Sequence, residues 1–121
     1  MSYLHLCTKM SKLNDEVADF LKVLGDQTRL EILELLKKGP KTSEAIQTAL
    51  EKSQSTISQH LKKLSDKDLI LSDRKENINN YKIKNDYIFK ILNFVQSFVL
   101  DLQKERLKDI SELDIYDTLG I

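Results

Sequence analysis

The chain has 121 residues, 31% of them charged and 40% hydrophobic, and its 19 basic and 19 acidic side chains balance to a net charge of zero. That length and mix fit one soluble globular domain, which on folding buries roughly two-thirds of the open chain's surface. The neutral balance excludes a global pull toward nucleic acid, and the lone Cys7 excludes an internal disulfide or a multi-thiolate metal site.

No segment approaches the ~20 apolar residues that span a bilayer. The N-terminus, MSYLHLCTKMSKLNDEV, lacks the apolar core of a signal peptide. A cytoplasmic protein with no membrane partner is expected. With three glycines and one proline, breaks are few and helix should dominate.

Leu6, Met10, Leu13, Val17, Phe20 and Leu24 recur at steps of three and four, which predicts a helix from about residue 9, or earlier, to Leu24. Gly25 is expected to close it in the left-handed conformation. Asp26 offers a carboxylate to the free amides of a second helix carrying Leu30, Ile32, Leu33, Leu35 and Leu36. Gly39-Pro40 stops that helix. Thr42 or Ser43 begins a short third helix with Ala45, Ile46, Ala49 and Leu50 inward, and Ser53 begins a fourth, over about 54–67.

The period then changes. Leu69-Ile70-Leu71 and Tyr81-Lys82-Ile83 flank the polar stretch DRKENINN, which reads as a β-hairpin around an Asn-rich turn. Asn85 or Asp86 starts a long last helix with Ile88, Ile91, Leu92, Val95, Phe98, Val99 and Leu102 at helical spacing. The tail beyond Arg106 either holds one more short turn or frays. The expected architecture is mainly α with a β-hairpin, a winged helix-turn-helix of order α-α-α-α-β-β-α. It forms one domain over 1–121, with residues 1–8 and 109–121 as candidate mobile ends.

The stretch SQSTISQHLKKL, residues 53–64, carries the functional signal. At about 3.6 residues per turn, Ile57, Leu61 and Leu64 share a narrow stripe. Ser55, Gln59, Lys62 and Lys63 point the other way, with Thr56 and Ser58 on the flanks. A helix N-terminus entering the major groove needs short side chains that let the backbone approach, and donors and acceptors for base edges. Lysines farther along suit phosphates. The plainer alternative is helix capping and a solvated basic face; the short helix and brief link that precede this segment favour a helix-turn-helix. Local charge agrees: residues 51–84 hold eight basic and five acidic side chains, net +3, and residues 100–121 hold three and six, net −3.

LGDQTRLEIL at 24–33, SQSTISQHLKKL at 53–64, and DLI followed by a hairpin ending YKI together resemble the ArsR/SmtB winged-helix transcriptional regulators, over roughly residues 17–84. The resemblance implies a homodimer joined through its first and last helices, and a fourth helix that reads the major groove of a near-palindromic duplex. It also implies a repressor released by an effector, which the sequence does not name. Carried onto this chain, the reader positions are Gln54, Ser55, Thr56, Ser58, Gln59 and Lys62. Lys63, Arg74 and Lys75 are candidate phosphate contacts. His60 matches a frequent histidine of the motif, and its place beside the apolar stripe favours a structural role. Leu13, Val17, Phe20, Val95, Phe98, Val99 and Leu102 are the expected dimer interface, unless some face the protomer's own core.

The departures are specific. Where many members of the family sense metal through Cys-x-Cys in the third helix, this chain has Thr42 and Glu44, and no histidine follows His60. No metal site and no cofactor are therefore expected. His5 and Cys7 leave open a metal or redox trigger. The usual Gly-Arg of the wing tip is replaced by Glu76-Asn77, and Glu51 stands where a turn glycine is common. Those changes leave open a protein-interaction module that does not use DNA. No glycine-rich phosphate loop exists, with the glycines at 25, 39 and 120, and nothing pairs Cys7 with His60 in a pocket. The chain is not expected to be an enzyme.

Overall fold

The computed structural model describes residues 3–119, with side chains through Ile110. Residues 1–2 and 120–121, at the candidate mobile ends, lie outside the described residues, as do the side chains from 111 onward. The elements in chain order are α1 (Tyr3–Leu24), α2 (Gln27–Lys37), β1 (Lys41–Thr42), α3 (Ser43–Leu50), α4 (Gln54–Asp66), β2 (Ile70–Lys75), β3 (Ile78–Ile83) and α5 (Tyr87–Leu119). They form two compact units, one ending at Asn85 and one beginning at Asp86.

Side-chain caps start three helices of the first unit. The Arg29 amide donates to Asp26 Oδ1 at 3.1 Å, the Ala45 amide to Thr42 Oγ1 at 3.1 Å, and the Thr56 amide to Ser53 Oγ at 3.3 Å. Each satisfies an N–H that the helix itself leaves unpaired. The joint between α1 and α2 differs from expectation. Gly25 has no positive φ; its amide bonds Leu21 O at 2.9 Å, and the Asp26 amide turns back to Leu24 O at 2.9 Å. The chain leaves α1 by a tight reversal rather than by a left-handed cap.

The core of this unit is Ile32, Leu33 and Leu36 of α2, Ile46 of α3, Ile57, Leu61 and Leu64 of α4, and Leu69 and Ile70 at the hairpin's base, with Leu24 ending α1. Each full burial contributes about 1.5–3 kcal/mol. On α3 only Ile46 goes inside; Ala45 and Ala49 are exposed and Leu50 is half-buried, because an eight-residue helix presents a narrow contact stripe. Leu30 of α2 is likewise exposed. The seam of α1 stays on the surface, with Leu6, Met10, Leu13 and Val17 all exposed and only Phe20 half-buried.

The hairpin is longer than the apolar runs imply. Asp73, Arg74 and Lys75 pair with Asn80, Asn79 and Ile78, leaving a two-residue turn at Glu76 and Asn77 with φ of 52° and 64°. Positive φ at both central residues is the geometry whose twist matches the flanking strands. A third strand escaped the sequence reading. Lys41 and Thr42 pair with Tyr81 and Asn80, giving sheet order β1-β3-β2. Two residues after Pro40, the second of them a helix cap, carry no alternation from which a strand can be read. In the second unit α5 runs unbroken for 33 residues, through the tail expected to turn or fray. Ile88, Phe89 and Leu92 are buried on it.

Glu51 ends α3 in the left-handed region, at φ 54° and ψ 47°. A side chain with a Cβ costs roughly 1–2 kcal/mol there, and glycine escapes that cost while losing some unfolded-state entropy. Glu51→Gly should raise stability by up to about 1 kcal/mol and Glu51→Val should lower it by a similar amount. Urea unfolding of the three proteins checks the order Gly, Glu, Val; a Gly variant less stable than Val would contradict it.

The Arg29 amide, above all, holds the Asp26 carboxyl below its ordinary value; burial opposes this, and the Arg29 charge, the His60 imidazole and the Thr28 amide add to it. A depressed folded-state value means that the stabilisation is present above the ordinary aspartate range and is lost as pH falls through the lowered value. Asn caps as well as Asp but carries no charge. The stability gap between wild type and Asp26→Asn should therefore be open near about pH 7 and should close as pH falls through the lowered value. Urea unfolding across that range measures it, and a gap that does not change with pH would count against the assignment.

Candidate nucleic-acid interface

Helix α4 presents two faces that the 3.6-residue period separates. Ile57, Leu61 and Leu64 are buried against the first unit's core. Ser55, Gln59 and Lys62 lie opposite and are exposed, as are Gln54, Ser58 and Lys63. Thr56 is half-buried at the edge of this face. Its Oγ1 accepts from Ser53 Oγ–H at 2.9 Å, and Ser55 Oγ lies 3.3 Å from the same Ser53 oxygen. The hydroxyls at the helix nose thus belong to one capping network, which holds them in place. Gln59 and Lys62 project beyond it. Asp66 closes the exposed side at the helix end.

A three-residue link, Glu51 to Ser53, joins α3 to α4. Its left-handed Glu51 turns the chain sharply enough for Ile46 and Ile57 to meet the same core. Thr42 helps tie the wing to this pair of helices. Thr42 pairs with Asn80 of β3 and also caps α3. At the wing tip Arg74 and Lys75 are both exposed, but successive strand residues face opposite sides of the ribbon. Arg74 shares a side with Ser72. Lys75 shares a side with Asp73, whose carboxylate lies 3.9 Å from its ammonium. The two wing cations are therefore not equivalent: Lys75 has a carboxylate on its own side and Arg74 does not.

Behind the exposed face lies a polar node that the sequence reading caught only at its edges. Arg29 is 8% exposed. Its Nε donates to Val23 O at 2.6 Å and its Nη2 to Lys22 O at 3.3 Å, both carbonyls in the last turn of α1. Its Nη1 lies 3.1 Å from His60 Nδ1 on α4. A guanidinium only donates, so His60 Nδ1 is the acceptor and the ring carries its proton on Nε2. Asp26 Oδ1, 3.9 Å from the same nitrogen, is an electrostatic neighbour rather than a hydrogen-bond partner. The structural role expected for His60 is thus visible in its contacts. Arg29 itself was missed. The available signal was its spacing, three before Ile32 and seven before Leu36, which puts a long cation on the core face of α2.

His5 and Cys7 both lie on α1. Two residues apart on a helix, they point about 200° from one another, so they do not converge on one ion from one chain. Among the described residues no group of three or more His, Cys, Asp or Glu side chains is arranged to hold a metal ion. Nor is any helix among them long and apolar enough to cross a membrane.

The family model described as "Bacterial regulatory protein, arsR family" matches residues 26–72, which run from the Asp26 cap through α4 into β2. An arsenical resistance operon repressor of Staphylococcus xylosus is 34% identical over 73 residues, covering 60% of this chain and 70% of that protein. Its counterpart from Staphylococcus aureus is 33% identical over 85 residues, covering 68% of this chain and 82% of the other. Among solved structures, NolR from Sinorhizobium fredii matches with a TM-score of 0.69 at 29% identity, over 74% of this chain and 90% of that one. A homodimeric winged helix-turn-helix DNA-binding domain from Mycobacterium bovis matches with a TM-score of 0.67 at 31% identity, over 74% and 82%. The fold is the winged helix-turn-helix, and the chain belongs to the arsR family of bacterial regulatory proteins.

Proposed function

We propose that this protein is a homodimeric, sequence-specific DNA-binding transcriptional repressor that reads a near-palindromic duplex with α4. The observation that carries the proposal is the division of α4: three aliphatic anchors buried, and Ser55, Gln59 and Lys62 exposed on the opposite side. Gln59 offers an amide to base edges, Ser55 and Ser58 offer short hydroxyls, and Lys62 and Lys63 offer ammonium groups to phosphates. Arg74 is the better placed wing cation, because Lys75 already has Asp73 beside it. The two Staphylococcus relatives are repressors by name, which supports the same role here. Family membership speaks against an enzyme.

The homodimer is supported by two exposed apolar stripes, one on each terminal helix. On α1 the stripe holds Leu13 and Val17, 58% and 46% exposed, with Phe20 half-buried at its end. On α5 it holds Val95, Phe98, Val99 and Leu102, with Phe98 65% exposed. An exposed apolar stripe of this kind marks a protein contact, and the M. bovis neighbour is described as a homodimer. In such a dimer two reader helices enter successive major grooves about one helical turn (~34 Å) apart.

The altered wing tip, Glu76-Asn77, and the Lys75–Asp73 pair favour a second reading, a winged-helix module that binds a protein instead. One experiment separates the two. The wild type should select a duplex from random sequence, and its affinity should fall steeply with salt. Gln59→Ala should cost about 1–3 kcal/mol on the selected duplex and relax its sequence preference, while Lys62→Ala should weaken binding to every duplex and lower the salt slope by about one. Retention of DNA that ignores sequence and is untouched by both substitutions would sink the DNA reading and leave the protein-binding one. For the dimer, Phe98→Glu should yield monomers in sedimentation or light scattering at concentrations where the wild type is paired. A monodisperse dimer in that variant would remove α5 from the interface.

A further inference from the structure

We infer that Arg29 is a positioning residue for DNA reading: it fixes the reader helix α4 to the end of α1 through His60, without touching DNA itself. The inference rests on the DNA reading above and adds how that site is held. One guanidinium bridges three places in the chain. Two of its donors satisfy the Lys22 and Val23 carbonyls, which α1 leaves unpaired at its C-terminus, where a cation is also favoured by the helix dipole. A third meets His60 Nδ1 on α4. The backbone of the same residue is held by the Asp26 cap, so the starting point of the side chain is set as well.

The geometry explains why each group has its identity. Lysine carries its three donors on one nitrogen and cannot span two carbonyls and an imidazole; the planar fork of arginine can. The acceptor on His60 is Nδ1, the ring nitrogen nearer the backbone, so the contact fixes how α4 is rotated as well as how near it sits. His60 lies between Gln59 and Lys62 in sequence. A rotation of α4 that lost the Nδ1 contact would swing both of those exposed side chains, although neither touches Arg29. Any displacement of α1 against α2 stretches the two carbonyl bonds and is passed by the same guanidinium to the reader helix. Binding events on the exposed face of α1 thus have a physical route to the DNA-facing side of α4.

The chain offers a clean test because Asn places an acceptor where His Nδ1 stands and Leu does not. The wild type, Arg29→Lys, His60→Asn and His60→Leu are compared on the duplex that the wild type selects from random sequence and on an unrelated duplex of equal length. Circular dichroism and thermal unfolding establish that each variant is folded. Arg29→Lys and His60→Leu should each lose about tenfold or more in the ratio of selected to unrelated binding. His60→Asn should stay within about threefold of wild type, since its amide oxygen replaces the lost acceptor. Binding to the unrelated duplex, which depends on phosphate contacts, should change little in all three. Loss of stability alone would leave that ratio unmoved in the folded fraction. Should Arg29→Lys fail to fold, the Asn and Leu pair at His60 decides the matter. Equal ratios in all folded variants overturn the inference and leave the DNA reading standing. A wild type that selects no duplex overturns both. An independent readout is the nitrogen spectrum of the His60 ring: a proton on Nδ1 instead of Nε2 would also overturn it.

Discussion

The seating of α4 governs everything else in the first unit. A helix with apolar residues at 57, 61 and 64 has one way to bury them, and the helical period then leaves no choice about where Ser55, Gln59 and Lys62 point. The anchors supply stability and the period supplies exposure, so one physical constraint produces both the core and the candidate interface. It also explains why α4 is rich in hydroxyl and amide groups at its nose and still folds. Ser53 Oγ engages the Thr56 amide, the Thr56 hydroxyl and the Ser55 hydroxyl together. Groups that would otherwise compete with helix formation are recruited to start it.

Around this helix the chain economises on connections. Thr42 serves the sheet through its pairing with Asn80 and the helix-turn-helix through its cap on α3. The wing and the first helix of the helix-turn-helix are therefore referenced to the same residue. The Lys84 amide bonds Leu69 O at 3.1 Å, and the Lys84 ammonium pairs with Asp68 at 3.0 Å, which closes the hairpin at its base. The sharp turns are made largely without glycine. Glu51, Asp68, Glu76 and Asn77 all take positive φ. Each non-glycine residue there is sterically disfavoured, so the surrounding bonds must over-determine the backbone. Glu51 ends α3, and Glu76 and Asn77 form the tip of the wing, the elements that flank the reader. The strain is thus concentrated where the path of the chain matters most to the proposed interface.

The starts and caps of α2, α3 and α4 and the outward face of α4 were legible because they depend on local chemistry: a carboxylate or hydroxyl before an apolar period, and a period that repeats. Legibility ended wherever a residue acts across the fold. Gly25 reads as a left-handed cap, but the tight reversal made by the Gly25 and Asp26 amides supersedes it. Lys41-Thr42 is a strand only because β3 lies beside it. Ala45 and Ala49 have the spacing of an inward face, yet a short helix meets the core at Ile46 alone. Arg29 is the clearest instance. In sequence it is one cation in a run that also holds Glu31 and Glu34; in three dimensions it is buried and joins α1 to α4. Its spacing to Ile32 and Leu36 places it on the core face of α2, but no local rule reveals three bonds that reach back six and seven residues and forward 31.

The charge balance then bears on why the molecule should work in pairs. The chain carries a net charge of +3 over residues 51–84 and zero overall. Electrostatic attraction from one chain is modest, and base contacts from one helix discriminate by only a few kcal/mol. Joining two chains makes the second helix's contact intramolecular, with an effective concentration set by the geometry of the joint. Affinity and half-site spacing then derive from the same interface. In the proposed dimer the exposed Leu13, Val17, Val95 and Phe98 supply that interface. A weakly charged reader needs a rigid partner more than a strongly basic one does, and the long apolar stripes on α1 and α5 are the means by which this chain would recruit it.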